Sequence, residues 1–290
     1  MKNVISVNEE STLYDFLRNN LNESKNNIKG FLAKKMVSVN GKIVTRFNYE
    51  LHVGDTIDIG NKIIESYKKE IEIIYEDNQI IVVNKPSGLL TIATEKERNV
   101  TLYNMISSYV KKSDKKNKIF IIHRLDKDTS GVIVFAKNEE VKNEMQLNWN
   151  NKTLRKYVAI VHGRPKDVDT LELHLRDAKK GGYTYVVKNG DIALTKYKRI
   201  ASDDKYSYLD LDLLTGRKNQ IRVSLAYIGC PIYGDKKYGV EDSGKRLMLH
   251  AYKLELINPI TKQRMIFTAD IPKEFYNMKK NMVNRSKNYE

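Results

Sequence analysis

The segment His123-Arg124-Leu125-Asp126-Lys127-Asp128-Thr129-Ser130-Gly131 gathers two carboxylates, an imidazole and two cations into one short polar stretch. Apolar runs flank it, Ile119 to Ile122 before and Gly131 to Ala136 after, and loops held between rigid strands are where reactive groups collect. An aspartate has an ordinary pKa of about 3.9, so Asp126 or Asp128 is ionised at neutral pH and can act as nucleophile or base where water is excluded. Residue types alone allow a second reading, a capping loop in which Asp128, Thr129 and Ser130 bond backbone amides. Metal and thiol chemistry is poorly supplied. Cys230 is the single cysteine, and the five histidines never stand at i and i+4 beside a carboxylate, so neither a disulfide nor a metal site is expected. The excess of 51 basic over 36 acidic residues, a formal charge of +15, draws the chain to polyanions through counterion release and makes nucleic acid the expected partner.

The elements that must position this loop form an α+β chain in two parts. Leu13, Phe16, Leu17 and Leu21 recur at helical spacing, and Ile28, Phe31, Leu32 and Met36 repeat the pattern after a polar run. Asn40-Gly41 then supplies the backbone of a tight hairpin between Val37 to Val39 and Lys42 to Val44, and Val53 to Ile59 turns at Gly54-Asp55 into another strand. The charged stretch from Asn61 to Glu70 lacks periodicity, which sets a small domain over 1–62, a linker over 63–70 and a second domain over 71–290. Strands are expected at Ile71 to Tyr75, Ile80 to Asn84, Ile119 to Ile122, Gly131 to Ala136, Lys156 to Val161 and Ser207 to Leu213. Helices are expected at Thr101 to Val110, after a cap at Asn138, and from Thr215. The lack of regular strand and helix alternation argues for a mixed, mainly antiparallel sheet and against a doubly wound fold. Trp149 and Cys230 read as packing residues, and the Lys-rich tail from Lys279 to Glu290 as disordered. No apolar run approaches a membrane span, and the opening residues lack a secretory signal, so a cytoplasmic protein without a membrane partner is expected.

The nine residues from His123 match the His-Arg-Leu-Asp-x-x-Thr-Ser-Gly signature, and the chain resembles the RluA-type pseudouridine synthases. Asn84-Lys85-Pro86-Ser87-Gly88-Leu89, Lys156-Tyr157-Val158-Ala159, Thr215-Gly216-Arg217-Lys218-Asn219-Gln220-Ile221-Arg222, Pro231-Ile232-Tyr233-Gly234-Asp235 and Leu249-His250-Ala251 continue the likeness in order. Residues 11 to 60 resemble an S4 RNA-binding module. The resemblance implies the synthase fold, isomerisation of uridine to pseudouridine without a cofactor, and a structured RNA substrate, ribosomal by analogy with transfer RNA also open. It implies Asp126 as the catalytic aspartate, Arg222 as its ion-pair partner, Tyr157 as the ring against the target base, and Arg124 as the side chain that fills the vacated stack. Lys85, Arg217 at the opening of a helix from Thr215, and Lys25, Lys29, Lys34 and Lys35 of the S4-like part are the candidate RNA contacts. Asn219 and Ser224 stand where the family usually, or often, has histidine, which predicts altered support around the site more than lost catalysis. Two rival readings remain: an RNA-binding protein without activity, and a glycosidic-bond hydrolase using Asp126 and Asp128 as paired carboxylates. No obligate protein partner is evident.

Overall fold

The computed structural model describes residues 4–21, 24–33, 36–59, 71–94, 97, 100–179, 181–242 and 244–286. Backbone proximity divides the chain into two units, Met1–Lys69 with Ala93–Val100, and Glu70–Ile92 with Thr101–Glu290. The linker expected over 63–70 lies outside the described residues, as do Lys34 and Lys35.

The first unit holds β1 (Val4–Ser6), β2 (Ser11–Thr12), α1 (Leu13–Asn20), α2 (Lys25–Ala33), β3 (Val37–Val39), β4 (Lys42–Ile43), β5 (Glu50–Leu51) and β6 (Thr56–Ile59). A sheet in the order β1-β6-β3-β4 packs its apolar face on the two helices through Leu13, Leu17, Ile28, Leu32, Val37 and Ile57. Thr12 caps α1 by accepting from the Asp15 amide, and Asn40 and Gly41 take the positive φ values of 49° and 77° that the β3–β4 turn demands.

The second unit is built on a sheet that begins with β7 (Glu72–Glu76) and β8 (Ile80–Lys85), followed by α3 (Leu102–Val110), β9 (Phe120–Ile121), β10 (Ser130–Ala136), α4 (Glu139–Lys152) and β11 (Thr153–His162). The chain continues through β12 (Val168–Asp177), β13 (Thr184–Val186), β14 (Asp191–Ser202), β15 (Tyr206–Leu213), α5 (Gln220–Tyr227), β16 (Leu249–Ile257), β17 (Arg264–Thr268) and α6 (Lys273–Ser286). The strand order is β13-β12-β14-β15-β11-β16-β10-β8-β7, with β9 added to β10 and β17 to β16. Among the described pairings only β10 with β16 is parallel, so the sheet is mixed and mainly antiparallel, as expected. Every residue of β10 is buried, as are β8 but for Asn84 and the Tyr157 to Val161 part of β11, which is why these stretches read as continuous apolar runs rather than alternating ones. Asn138 caps α4, which covers this centre through Val141, Met145 and Trp149.

Two expectations need correction. The helix expected from Thr215 starts at Gln220, because Asn219 takes a left-handed conformation (φ 50°) that breaks the turn before it. The tail from Lys279 does not fray within the described residues: Lys273–Ser286 is helical and buries Phe275 and Met282, spaced seven apart on one face.

Candidate functional site

The segment from His123 to Ser130 joins β9 to β10, and nearly every residue of it is tied down. The His123 ring stacks on Trp149 at 4.5 Å, and its Nε2 accepts from the Val134 amide at 3.2 Å. Thr91 Oγ1 donates to the Leu125 carbonyl at 2.7 Å and accepts from the Leu125 amide at 3.3 Å. Lys85 Nζ donates to the Lys127 carbonyl at 3.0 Å, and Ser87 Oγ donates to the Asp128 carbonyl at 2.7 Å. Ser130 Oγ lies 2.8 Å from His250 Nδ1 and accepts from Arg246. At Gly131, φ is 118° and an added Cβ would stand 2.1 Å from the Ala251 carbonyl oxygen, so only glycine permits the close pairing of β10 with β16 that ends the segment. Arg124, Leu125, Asp126 and Thr129 of the segment line a cleft, Arg124 and Asp126 with charged side chains.

That cleft is lined by Arg124, Asp126, Tyr157, Arg217, Asn219 and Arg222 among others, a concave site on which several polar groups converge. The structure therefore brings together Asp126, Arg222, Tyr157, Arg124 and Arg217, drawn from segments nearly one hundred residues apart in sequence. Asp128 is not among the lining residues, which removes the second carboxylate that a hydrolase would need.

Arg222 organises the floor. Its guanidinium is buried, donating from Nε and Nη2 to both oxygens of Asp235 at 2.8 and 2.7 Å. Its Nη1 donates to Asn219 Oδ1 at 3.0 Å and reaches Asp126 Oδ2 at 3.4 Å. Burial alone would lower the pKa of the guanidinium group, yet the hydrogen bonds and charges of Asp235 and Asp126 carry it well above the ordinary arginine value. Asp235 behaves in the complementary way: burial favours its neutral form, but Arg222 and the amides of Lys237 and Tyr238 win and hold it below the usual carboxylate range. One cation is thus shared by two carboxylates. Asp235 is wholly enclosed and takes the paired hydrogen bonds, whereas Asp126 has a 28% exposed side chain and a single longer contact. A carboxylate held in this way is oriented and charged but not fully neutralised.

Tyr157, on β11, is 5% exposed; burial pushes its phenol up to about 12, with Arg155 opposing and Asp126 adding to the shift. Its ring stays neutral and presents an apolar wall to the cleft. Asn219 fits its left-handed position, since a short amide tolerates that conformation, and its Oδ1 is the acceptor that steadies Arg222. Ser224 is buried on α5.

Lys85 is a correction to the sequence reading. It is fully buried and cannot meet RNA; its Nζ donates to the carbonyls of Pro86 (3.0 Å), Leu89 (2.7 Å) and Lys127. Burial pulls its ammonium down to about 7 against the attraction of Asp128 and Asp126. Arg217 is partly engaged, donating from Nε to the Ile192 carbonyl at 3.1 Å, and it precedes α5 rather than sitting within its first turn. Lys25 and Lys29 are exposed on α2 in the first unit. Asp235 escaped the sequence reading. It lies in a segment noted only for its likeness to the family, and nothing in the spacing of residues 222 and 235 announces a fork-to-carboxylate pair across a loop.

A family model for RNA pseudouridylate synthase matches residues 79–227. An uncharacterized RNA pseudouridine synthase of Bacillus subtilis is 32% identical over 94% of this chain and 95% of its own length. The ribosomal large subunit pseudouridine synthase D of Borreliella burgdorferi is 36% identical over 71% of this chain and 66% of its own. Among solved structures, human RNA pseudouridylate synthase domain containing 4 superposes with a TM-score of 0.60 at 23% identity, covering 74% of this chain and 93% of that one, a likeness of fold.

Proposed function

The chain belongs to the family of RNA pseudouridylate synthases, enzymes that isomerise uridine in RNA, and we propose that Asp126 is its catalytic carboxylate and large-subunit ribosomal RNA its substrate. The observation that carries the assignment is the shared guanidinium. Arg222 is already neutralised by Asp235, so it fixes Asp126 at the cleft without quenching it. The reaction breaks the bond from ribose C1′ to base N1, turns the uracil, and joins C1′ to C5; C5 gives up its hydrogen to solvent and N1 gains one. An ionised Asp126 serves attack at the ribose, attack at the base, or removal of a ribose proton alike. Tyr157 supplies the face on which the uracil is held while it turns. A stacked uridine is out of reach of the cleft, so the base is flipped outward, at a cost of a few kcal/mol that looped or mismatched sites reduce. Arg124, exposed at the mouth two residues before Asp126, occupies the vacated stack.

The preference for large-subunit RNA follows the name of the Borreliella relative, and a cytoplasmic setting is part of the same proposal. The first unit acts as an S4-like RNA-binding module, with Lys25 and Lys29 along the phosphate backbone.

The test uses large-subunit ribosomal and transfer RNA transcripts carrying uridine tritiated at C5. Release of tritium to water by the wild type from ribosomal RNA, and none by Asp126→Asn, is the expected result. Release from transfer RNA alone would overturn the substrate, undiminished release by Asp126→Asn would overturn the carboxylate, and free uracil would mean hydrolysis.

A further inference from the structure

The turn from β12 to β13 brings a second set of RNA-compatible groups against the ion pair. Tyr183 and Tyr185 alternate with Thr184, which is buried, so the two rings share the outward side of the strand. They are stacked, 6.1 Å between centroids with planes 16° apart, and 38% and 53% of the two residues is open to solvent. An exposed parallel pair of aromatic rings at a sheet edge buries too little apolar surface to be explained by stability.

Cations crowd the same turn. Lys237 Nζ sits 4.6 Å from the Tyr183 ring centroid and 5.4 Å from that of Tyr238. Lys218 Nζ and Lys237 Nζ each lie 3.8 Å from the point where a Cβ on Gly182 would stand. Asp177 approaches Lys218 at 3.7 Å and is the one carboxylate that meets it among the described residues. Lys237 is held below the ordinary lysine range, first by burial and then by the like charges of Arg222 and Lys218, against the attraction of Asp126 and Asp235. The patch is continuous with the catalytic floor: Arg222 stacks on Tyr238 at 5.3 Å, Tyr238 meets Tyr183 edge-on at 5.8 Å, and Asn219 Nδ2 donates to the Gly182 carbonyl at 3.5 Å.

We propose that Tyr183, Tyr185 and Lys218 form a second RNA subsite, which stacks an unpaired nucleobase neighbouring the target uridine on the tyrosines and holds its phosphate at the lysine. Single-stranded RNA offers a π-face and an anion at every residue, and aromatic rings interleaved with cations are how such strands are gripped without sequence readout. An acidic peptide would satisfy the lysine and leave the rings uncovered. The subsite rests on the reading of Asp126 and Arg222 as the reaction centre only for its claim to be adjacent to the target.

The experiment uses the full-length protein and oligouridylate pentamers in which 2-aminopurine replaces each position in turn. Stacking on a tyrosine quenches the probe, so quenching is expected at one position beside the bound uridine. Tyr185→Phe keeps it; Tyr185→Leu abolishes it and weakens binding about tenfold, with an unchanged melting temperature because the ring is exposed. Lys218→Gln lowers the slope of log Kd against log salt by about 0.7, one phosphate contact to a single strand. On tritiated RNA, Tyr185→Leu raises KM and leaves kcat at saturation intact. Equal quenching and affinity in wild type and Tyr185→Leu would overturn the proposal, as would a Tyr185→Phe variant as impaired as Tyr185→Leu. If Asp126→Asn releases tritium undiminished while Tyr185-dependent quenching persists, the subsite stands and the catalytic reading of Asp126 falls.

Discussion

Replacing Asp235 by asparagine tests whether the shared guanidinium is what makes Asp126 useful. The Asp235 carboxylate is completely enclosed and receives two hydrogen bonds from Arg222 and two from backbone amides. Asparagine keeps the volume but turns one acceptor into a donor facing a guanidinium N–H and removes the charge that balances a buried cation. Breaking a buried pair from one side costs about 3–5 kcal/mol. For a domain of roughly 200 residues each kcal/mol lowers the melting temperature by about 2–4 °C, so a fall of about 10 °C is expected by calorimetry. Turnover should fall further than stability accounts for. Arg222, released from its fork, swings toward the Asp126 carboxylate, now 3.4 Å away, and pairs with it outright. Tritium release measured well below the melting point should then show kcat reduced by about 10- to 100-fold with KM nearly unchanged. The double variant Arg222→Met/Asp235→Leu removes both charges; it should regain much of the lost stability, since apolar replacement of a whole buried pair is often neutral, yet regain none of the turnover. A folded Asp235→Asn protein with wild-type kcat would refute the orienting role of the pair.

Three further outcomes follow from buried or surface cations and a buried imidazole. Lys85→Met strands the carbonyls of Pro86, Leu89 and Lys127, at about 1–3 kcal/mol each, and loosens the residue after Asp126; denaturant unfolding should show the loss, and kcat should fall while KM holds. His250 is buried and its pKa is lowered to about 4 by enclosure, then by Arg246, with the Ala269 carbonyl opposing. As pH falls below the unfolded value of about 6.5, the unfolded chain takes a proton that the folded one refuses. Its stabilisation is therefore complete above about 6.5 and declines by about 1.4 kcal/mol per pH unit down to about 4. Urea titrations at pH 7 and 5 should differ by about 2 kcal/mol through this group, and a His250→Gln protein should show a correspondingly smaller difference; identical pH dependence in the two would dismiss it. Lys25→Gln with Lys29→Gln should weaken RNA binding and reduce its salt slope by up to about 2, measured by anisotropy, without altering kcat at saturating RNA; an unchanged slope would remove the first unit's lysines from the RNA contact.

The periodic elements were legible because local patterns and burial agree. Of the apolar stripe Leu102, Met105, Ile106 and Tyr109, the first three are buried on α3 together with Val110 while Tyr109 is exposed, and Asn138 caps α4 where the sequence places a cap. The strands β12, β13, β14, β16 and β17 were not anticipated. In β14 the polar residues Thr195, Lys196 and Lys198 interrupt the apolar pattern, and Thr195 is buried only because Gln220 reaches across to bond it. Such a strand takes its identity from a partner on α5, which a window of neighbouring residues does not contain.

The same distinction separates what was seen of the site from what was missed. Asp126 stands in a dense motif, and its anchors at His123, Leu125 and Ser130 lie within that motif, so the segment announces itself even to a reader of residue types. Lys85 does not. A lysine before a proline reads as an exposed cation open to RNA, and only the fold shows three carbonyls closing round it in place of water. Asn219 shows the converse. It departs from the histidine usual in its family, a departure that the sequence reads as altered support around the site; at φ 50° asparagine is among the residues least penalised, and its amide oxygen supplies the acceptor that Arg222 uses. What a substitution means at such a position is fixed by the conformation the chain must adopt there. The proposed catalytic carboxylate is therefore readable from its motif, whereas the groups that hold it are readable only from the fold.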